Sequence, residues 1–364
     1  MESRNDIDRF IQNHQQLDSS IQENRACFLS DWNCDNPFLG LLLGPGLVPD
    51  TNTLVPGGFP LDNYVYFDSE KPLLDAICHF HQRVDSHSFL PTNLIAGPGS
   101  SSLLAAFALW LRSAGYTEVH CVPPLYYTFY LLLKSLGIKV KPVSTRHAFE
   151  AGFTMDLPTT RSVLLLCDPV WYAGKPVPEH HLKTIAEWQC RTGSFVFVDG
   201  SFQYMKWNDS TTHECTALLN PAFTFRLLCP AKTLAVPFFR FAYLLHPASV
   251  HTELLFIYES MVGGANIYDL AFAYRALSVL SNEEGLGRIL PELYRRTFLQ
   301  LVEQNVIRTE ITPECGYFVF AVPVERPVEM RGMDETYFQA EGYPDYCRIN
   351  LMAARRIYGL DTAE

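Results

Sequence analysis

One lysine, Lys232, stands between two apolar runs in the stretch 223–245, and Arg240 follows it eight residues later. Both runs resemble buried strands, so the lysine is expected at a strand end. A lysine held in an apolar pocket has its charged form disfavoured, and such an amine can be nucleophilic enough to form a Schiff base. From this stretch alone, a loop lysine beside a structural arginine is the alternative interpretation.

Three further motifs favour the Schiff-base lysine over the loop lysine. The stretch 194–202 is an apolar strand pattern that delivers Asp199 at its carboxyl end, where ligands collect in open α/β sheets. The others are Cys-Asp-Pro-Val-Trp-Tyr-Ala-Gly at 167–174 and Ile-Ala-Gly-Pro-Gly-Ser-Ser at 95–101. Together with Lys232 and Arg240, their order and spacing resemble the fold-type I pyridoxal-phosphate enzymes, the aspartate aminotransferase (class I/II aminotransferase) family. The chain looks like a divergent member.

The resemblance implies an α/β fold with two domains. A three-layer α/β/α large domain with a mainly parallel sheet would be followed by a smaller α+β C-terminal domain. Residues 1–60 would form an arm that contributes to the small domain and to dimer contacts, 61–250 the large cofactor-binding domain, 251–285 an interdomain helix and 286–364 the small domain. The family shares its active site between two subunits, so a homodimer is expected, with Tyr66 reaching the cofactor phosphate of the neighbouring subunit.

The composition argues against several other classes of protein. With 364 residues, 48% hydrophobic and 18% charged, the chain can bury a large core and divide into two domains. A net charge of −11, without a basic cluster, argues against a nucleic-acid partner. The longest apolar runs, such as 103–111, fall short of the roughly 20 residues that a membrane-spanning helix needs. The polar start, Met-Glu-Ser-Arg-Asn, does not resemble a signal peptide.

The cysteines and histidines predict neither disulfides nor a metal site. The ten cysteines are scattered singly, without a Cys-x-x-Cys pair, which is typical of reduced core residues in a cytoplasmic protein. The histidines at 79, 81 and 87 invite a metal-site interpretation. However, side chains at i and i+2 of a helix point in different directions, so no metal is expected there.

The resemblance assigns roles residue by residue, with pyridoxal 5′-phosphate as the cofactor. Lys232 would hold the cofactor as an internal aldimine, and its freed amine would move the α-proton of an amino acid. Asp199 would pair with the pyridine nitrogen, keeping the ring protonated as an electron sink. Arg348, in an Arg-Ile-Asn segment, would clamp the substrate carboxylate, although a structural salt bridge is the alternative. The other positions that match the family's cofactor site are Gly99, Ser100, Ser101, Tyr126, Trp171, Phe202, Cys229 and Arg240, with Trp171 also facing the substrate.

The chain departs from the family pattern around the cofactor. Trp171 replaces an asparagine and Phe202 a tyrosine, both of which normally donate hydrogen bonds to the cofactor's phenolic oxygen. Because those bonds depress the aldimine's proton affinity, a protonated, yellow aldimine is predicted at neutral pH. Cys229 and Ala231 replace hydroxyl residues that usually flank the lysine, which predicts a thinner phosphate seat. The turn glycine that the family has near Tyr66 is also missing.

The function that these residues predict is an aminotransferase acting on an α-amino acid through an external aldimine and a quinonoid. One alternative is an enzyme of specialised metabolism that catalyses β- or γ-elimination, replacement or cyclisation, for example of a hydroxylated guanidino amino acid. A second is a catalytically silent binding homologue. The substrate side chain stays open, since a lining of Tyr126, Trp171, Tyr172 and Phe202 fits a flat or apolar group, or a guanidinium stacked on a ring.

Overall fold

A mixed sheet of seven strands lies at the centre of the chain. The computed structural model describes Leu29 and residues 36–38, 64–208, 213–281, 286–324, 333–334 and 342–360. The strands are β1 (Leu94–Gly97), β2 (Glu118–Cys121), β3 (Lys139–Pro142), β4 (Val163–Cys167), β5 (Phe195–Asp199), β6 (Thr224–Leu228) and β7 (Ala242–Leu245). Their order is β1-β7-β6-β5-β4-β2-β3. Only β7 runs antiparallel to its neighbours, so the sheet is mainly parallel, as predicted.

Helices alternate with these strands and flank the sheet. They are α1 (Lys71–Val84), α2 (Ser100–Ser113), α3 (Tyr127–Ser135), α4 (Glu179–Thr192), α5 (Glu214–Leu218), α6 (Pro230–Thr233) and α7 (His251–Met261). Strand β4 is apolar throughout and buried at every position, and β5 is buried up to its final aspartate. Continuous apolar strands of this kind have both faces covered, which gives the three-layer architecture predicted from the sequence.

Aromatic side chains fill the core between α2 and the central strands. The ring of Phe107 lies 4.4 Å from that of Phe197 on β5 and 4.8 Å from that of Phe225 on β6. Trp110, one turn further along α2, lies 4.9 Å from the same Phe225 ring. These packed rings fix α2 against the strands, and therefore fix the position of its N-terminus at the edge of the sheet.

A second, smaller sheet forms near the end of the chain. Its strands are β8 (Ile307–Arg308), β9 (Phe318–Pro323), β10 (Met333–Asp334) and β11 (Cys347–Asn350), in the antiparallel order β10-β11-β9-β8. Three helices accompany it: α8 (Ile267–Ser281), α9 (Leu286–Glu303) and α10 (Leu351–Ile357). The helical region predicted over 251–285 is divided around Gly263 and Gly264, because α7 ends before them and α8 begins after them. No helix among the described residues is long and apolar enough to cross a membrane.

Two local predictions from the sequence are wrong in part. The apolar run after Lys232 is a strand only over Ala242–Leu245, because Pro237 interrupts it and cannot donate to a strand ladder. The apolar stretch 346–353 around Arg348, which has the pattern of a strand, is a strand only as far as Asn350. There the Asn350 side chain accepts the N–H of Met352 at 2.9 Å and caps α10, so the chain turns from strand to helix.

Most of the predicted N-terminal arm lies outside the described residues. Two contacts from its described part reach the rest of the molecule. The carbonyl of Leu29 accepts the N–H of Asn350 at 2.6 Å, and Asn36 Nδ2 donates to the carbonyl of Leu234 at 2.7 Å. These contacts connect the arm to the small sheet and to the segment that follows Lys232.

Candidate active site

Lys232 lies where β6 ends, on the short helix α6 rather than on a strand. Pro230 at the first position of α6 favours the start of a helix there. The Lys232 Nζ lies 4.9 Å from the centre of the Phe202 ring and 5.8 Å from that of Tyr126. The half-buried amine therefore faces two of the residues that the sequence analysis assigned to the same site.

Asp199 ends β5, the neighbouring strand, as predicted. It stands in register with Leu227 of β6 on one side and Cys167 of β4 on the other. Its Oδ1 accepts the N–H of Ser201 at 3.1 Å, which orients the carboxylate at the strand end. Because parallel strands end at the same edge of a sheet, Asp199 and Lys232 share the edge at which open α/β sheets bind ligands.

Arg240 and the N-terminus of α2 meet at Gly99. Gly99 has φ +90°, and a Cβ built there would lie 2.8 Å from Cζ of Arg240, so only glycine allows this approach. The first N–H groups of α2 and the guanidinium are donors of positive character aimed at one place. An anion such as a phosphate group satisfies both, because helix N-termini bind anions and a guanidinium binds phosphate bidentately.

Two residues that were not predicted as site residues, Tyr258 and Asp68, contact β1 just before Gly99. A Cβ on Gly97 would lie 2.6 Å from Cζ of Tyr258, so α7 packs directly on the backbone of β1. Asp68 Oδ1 accepts the N–H of Ala96 at 3.2 Å. Burial, with a smaller contribution from the nearby Glu259, raises the pKa of Asp68 to about 7. Neither residue lies near the loop in sequence, so no local pattern could have identified it.

Aromatic rings surround Lys232 on the side of β4. The ring of Trp171 stands perpendicular to that of Tyr126, 5.9 Å between centroids. Phe202 packs against Phe318 of β9, 5.7 Å between ring centroids. Trp171 and Phe202 are both buried, so the two departures from the family pattern place large ring surfaces where the family has polar donors.

Tyr172 was also expected in this aromatic lining, and its role toward a ligand stays a prediction. Its side chain is fully buried in the core, and its hydroxyl is hydrogen-bonded to Nδ1 of His147. Burial lowers the pKa of His147 to about 4, so the ring is neutral and its Nδ1 can accept from the tyrosine. The residue next to Trp171 is therefore part of the core.

Arg348 connects the small sheet to this site. It lies on β11 and is fully buried, with Cζ 4.2 Å from the centre of the Phe318 ring and 5.4 Å from that of Trp171. Contacts of this length between a guanidinium and an aromatic face are favourable. The predicted carboxylate-binding arginine is thus brought next to Trp171, and Phe318 is a neighbour that the sequence analysis missed.

The remaining predicted residues take these positions. Ser100 and Ser101 form the first turn of α2, and Cys229 is buried directly before α6. Tyr66 is half-buried at the start of a short turn, where its N–H donates to Oγ of Ser69 at 3.3 Å. Its role toward a second subunit stays a prediction. His81 is fully buried, with Nδ1 2.8 Å from Asp85 Oδ2 and Nε2 3.0 Å from the Tyr243 hydroxyl.

Comparison with known protein families identifies the family of this chain. The model of the family described as aminotransferase class I and II matches residues 59–293, which is more than half of the chain. The chain belongs to this family. An aminotransferase of this class uses pyridoxal phosphate, as the sequence analysis predicted, and the match does not favour the eliminating or cyclising enzyme or the silent homologue.

Solved structures show the same fold at low sequence identity. N-succinyldiaminopimelate aminotransferase from Mycobacterium tuberculosis is 16% identical with a TM-score of 0.74, covering 95% of this chain and 96% of its own. A double mutant of Thermus thermophilus aspartate aminotransferase is 16% identical with a TM-score of 0.72, covering 96% and 94%. YbdL from Escherichia coli, described as having a methionine aminotransferase function, is 17% identical with a TM-score of 0.71, covering 95% and 96%. No curated protein sequence matches the chain.

The residues of this aminotransferase fit its cofactor. The meeting of Arg240 with the N-terminus of α2 at Gly99 provides donors for a phosphate group. The Asp199 carboxylate lies at the end of the strand next to β6, and the Lys232 amine lies near the Phe202 and Tyr126 rings. These are the three chemical groups that pyridoxal phosphate requires: an anion site, a carboxylate and a primary amine.

Proposed function

We propose that Lys232 carries the cofactor and moves the proton that leaves the α-carbon of an amino-acid substrate. The observation that supports this most is the convergence of Lys232, Asp199 and Arg240 around one edge of the sheet, with Arg240 against Gly99. Pyridoxal phosphate, when bound, supplies an electron sink that lowers the energy of the deprotonated α-carbon. The protein supplies the groups that hold it and that transfer the proton.

The phosphate group is proposed to bind at Gly99, Ser100, Ser101 and Arg240. The serine hydroxyls and N–H groups of the first turn of α2 donate from one side, and the guanidinium donates from the other. Cys229 borders this seat without a hydroxyl, so the seat depends more on Arg240 than it would if a serine preceded α6. A lysine at 240 would bind the phosphate as a point charge and lose the bidentate geometry.

Asp199 and Tyr126 are proposed to fix the cofactor ring. Asp199 holds a proton on the pyridine nitrogen through a charge-assisted hydrogen bond, and Tyr126 stacks on the ring. Trp171 and Phe202 would line the cofactor ring, and Phe202, which has no hydroxyl, could not donate a hydrogen bond to its phenolic oxygen. The negative charge of that oxygen would then be less stabilised, which would favour a protonated Lys232 nitrogen at neutral pH.

The substrate is proposed to be an α-amino acid whose carboxylate pairs with Arg348. A guanidinium matches a carboxylate bidentately, and Arg348 already lies against Trp171 at the proposed site. Its complete burial means that the carboxylate, once bound, is also shielded from water, which strengthens the pairing. The aromatic walls fit a flat or apolar side chain, or a guanidinium.

A homodimer is proposed, with Tyr66 completing the site of the partner subunit. Three large aromatic side chains are exposed to solvent. Tyr64 is 86% exposed, Phe238 87% and Phe256 71%. Tyr64 and Val65 lie next to Gly264, and the Val65 carbonyl accepts the N–H of Ala265 at 2.5 Å. In a dimer, these exposed aromatic groups are candidates for contact with the second subunit. A second copy of the chain would cover them.

We propose domain limits at residues 60, 250 and 285, because the two sheets lie within 94–245 and 307–350.

A cytoplasmic location is proposed because the eight cysteines among the described residues are free. Nucleic acid is not proposed as a partner, given the net charge of −11.

The experiment that tests the reaction type is an amino-donor screen with two product assays. The purified protein is supplied with pyridoxal phosphate, a panel of amino acids and a keto-acid acceptor. The proposal predicts a new amino acid from the acceptor, with no free ammonia. Ammonia release without amination of the acceptor would contradict transamination and support elimination.

A further inference from the structure

Gln203 follows Phe202 and touches all three segments that build the proposed site. Its Oε1 accepts from Nε of Arg226 on β6 at 2.6 Å. Its Nε2 donates to the carbonyl of Asp168, at the start of the segment that carries Trp171, at 3.0 Å. Its own carbonyl accepts from Oγ1 of Thr233, next to Lys232, at 3.4 Å. One buried residue thus connects the segments after β4, β5 and β6.

The orientation of the Gln203 amide is fixed by its neighbours. A guanidinium can only donate, so the amide oxygen must face Arg226 and the amide nitrogen must face the Asp168 carbonyl. Gly200 makes room for this arrangement, because a Cβ there would lie 2.7 Å from Cδ of Gln203 and 3.0 Å from the Leu227 carbonyl oxygen.

Arg226 is itself held in place by a buried ion pair. Its Nη1 donates to Asp85 Oδ2 at 2.7 Å, and that oxygen also accepts from the Tyr204 hydroxyl at 2.8 Å. The guanidinium holds the pKa of the Asp85 carboxyl well below its usual range, despite burial. A buried charge that is paired in this way is costly to displace, so Arg226 forms a fixed reference point for the Gln203 amide.

We propose that Gln203 is a positioning residue that sets the spacing of Trp171, Phe202 and Lys232 across the cofactor site. The expected effect on catalysis rests on the proposed function. The spacing of Trp171, Phe202 and Lys232 does not, because it can be measured in the cofactor-free protein. Without the Nε2 donor, the Asp168 carbonyl loses a buried partner and the segment carrying Trp171 is free to shift relative to Lys232.

The test compares Gln203→Met with Gln189→Met. Gln189 is a matched control, since it is equally buried and its amide donates to the Thr224 side chain at 3.0 Å and accepts from Asn220 N–H at 2.8 Å. Those contacts lie near the first residue of β6, at the end of the strand away from Lys232. Both variants should lower the melting temperature to a similar extent. Only Gln203→Met should alter the site.

Two readouts separate positioning from stability. In crystal structures of the cofactor-free full-length variants, Trp171 should shift relative to Lys232 by on the order of 1 Å in Gln203→Met, and should not shift in Gln189→Met. In the loaded protein, Gln203→Met should weaken cofactor binding roughly tenfold and reduce kcat about 100-fold. Gln203→Glu should still pair with Arg226 but resemble Gln203→Met at Trp171, because a carboxylate cannot donate to the Asp168 carbonyl.

Unchanged positions of Trp171, Phe202 and Lys232 in the Gln203→Met crystals would overturn the inference. So would equal losses of cofactor affinity in the two methionine variants. A wild-type protein that takes up no pyridoxal phosphate would refute the proposed function, and the crystal structures would still decide the role of Gln203.

Discussion

Arg240 lies directly against Gly99, with its Cζ 2.8 Å from the position that a Cβ of residue 99 would occupy. The two residues are far apart in sequence, and β7 brings Arg240 to the start of α2 because it pairs with β1. This contact brings the guanidinium next to the first N–H groups of α2, where the proposed phosphate site lies. Its loss should therefore affect the cofactor more than the fold.

Gly99→Ala should displace Arg240 and weaken cofactor binding by about tenfold to 100-fold, in line with losses of supporting contacts at other cofactor sites. Gly115→Ala is the matched control, because Gly115 also has positive φ (+84°) but nothing lies within 4 Å of its Cβ position. Both variants should lose roughly 1–3 kcal/mol of stability from the positive φ, and Gly99→Ala should lose more, since φ +90° with ψ 166° is a conformation that essentially only glycine adopts. Titration of cofactor absorbance and thermal melts measure the two effects, and equal cofactor affinity in both variants would contradict the anion site.

Phe202→Tyr should restore a hydroxyl donor near the phenolic oxygen of the cofactor. We expect the pKa of the linkage between Lys232 and the cofactor to fall, so that the yellow protonated form gives way to the unprotonated form as pH rises through a lower midpoint. Phe223→Tyr, at the other end of β6, is the control and should not move the midpoint. A wild-type spectrum already dominated by the unprotonated form at neutral pH would contradict the account of Trp171 and Phe202.

Asp199→Asn should bind the cofactor but lower kcat by a factor on the order of 100 or more, since an amide cannot hold the proton on the pyridine nitrogen through ionic pairing. The fold should persist, because Asp199 is half-buried at a strand end and its Oδ1 contact to the Ser201 N–H can be made by an amide oxygen. Steady-state kinetics with an unchanged circular dichroism spectrum would support this role. A variant of full activity would exclude Asp199 from the site.

Asp68→Asn should make folding stability less dependent on pH. The pKa of Asp68 is raised to about 7 in the folded protein, mainly by burial, so the folded state holds a proton that the unfolded state has released. The stability present at low pH is therefore lost as pH rises from about 4 to about 7, by up to ~4 kcal/mol. The variant should gain melting temperature over wild type at pH 8 and little at pH 4. A pH-independent difference would show that Asp68 is not buried as an acid.

The sequence predicts the residues that are defined by local patterns. Asp199 follows an apolar run, and Gly99 follows a strand and precedes a helix, so both positions could be predicted from hydrophobic periodicity and glycine chemistry. The roles of Lys232 and Arg240 were predicted from the resemblance of their order and spacing to the family pattern. The helix around Lys232 was missed because Pro230 favours a helix start while the flanking residues favour strands, and propensity alone does not decide between them.

Contacts between distant segments could not be predicted in this way. Nothing near Arg348 in sequence indicates that Phe318 and Trp171 would cover its guanidinium. Likewise, nothing near Gln203 in sequence indicates that its partners would be Asp168 after β4, Arg226 on β6 and Thr233 on α6. Such contacts depend on how strands and helices pack, which a single sequence does not encode in any local period.

The central claim, that Lys232 carries pyridoxal phosphate, is tested most directly by reduction of the loaded protein with borohydride. The account predicts a visible absorption band that borohydride removes, and a peptide that contains Lys232 with the mass of the reduced cofactor. Lys232→Ala should yield no peptide that carries the reduced cofactor. Reduced cofactor found on a lysine other than Lys232 would contradict this claim. So would a protein that remains colourless with added pyridoxal phosphate.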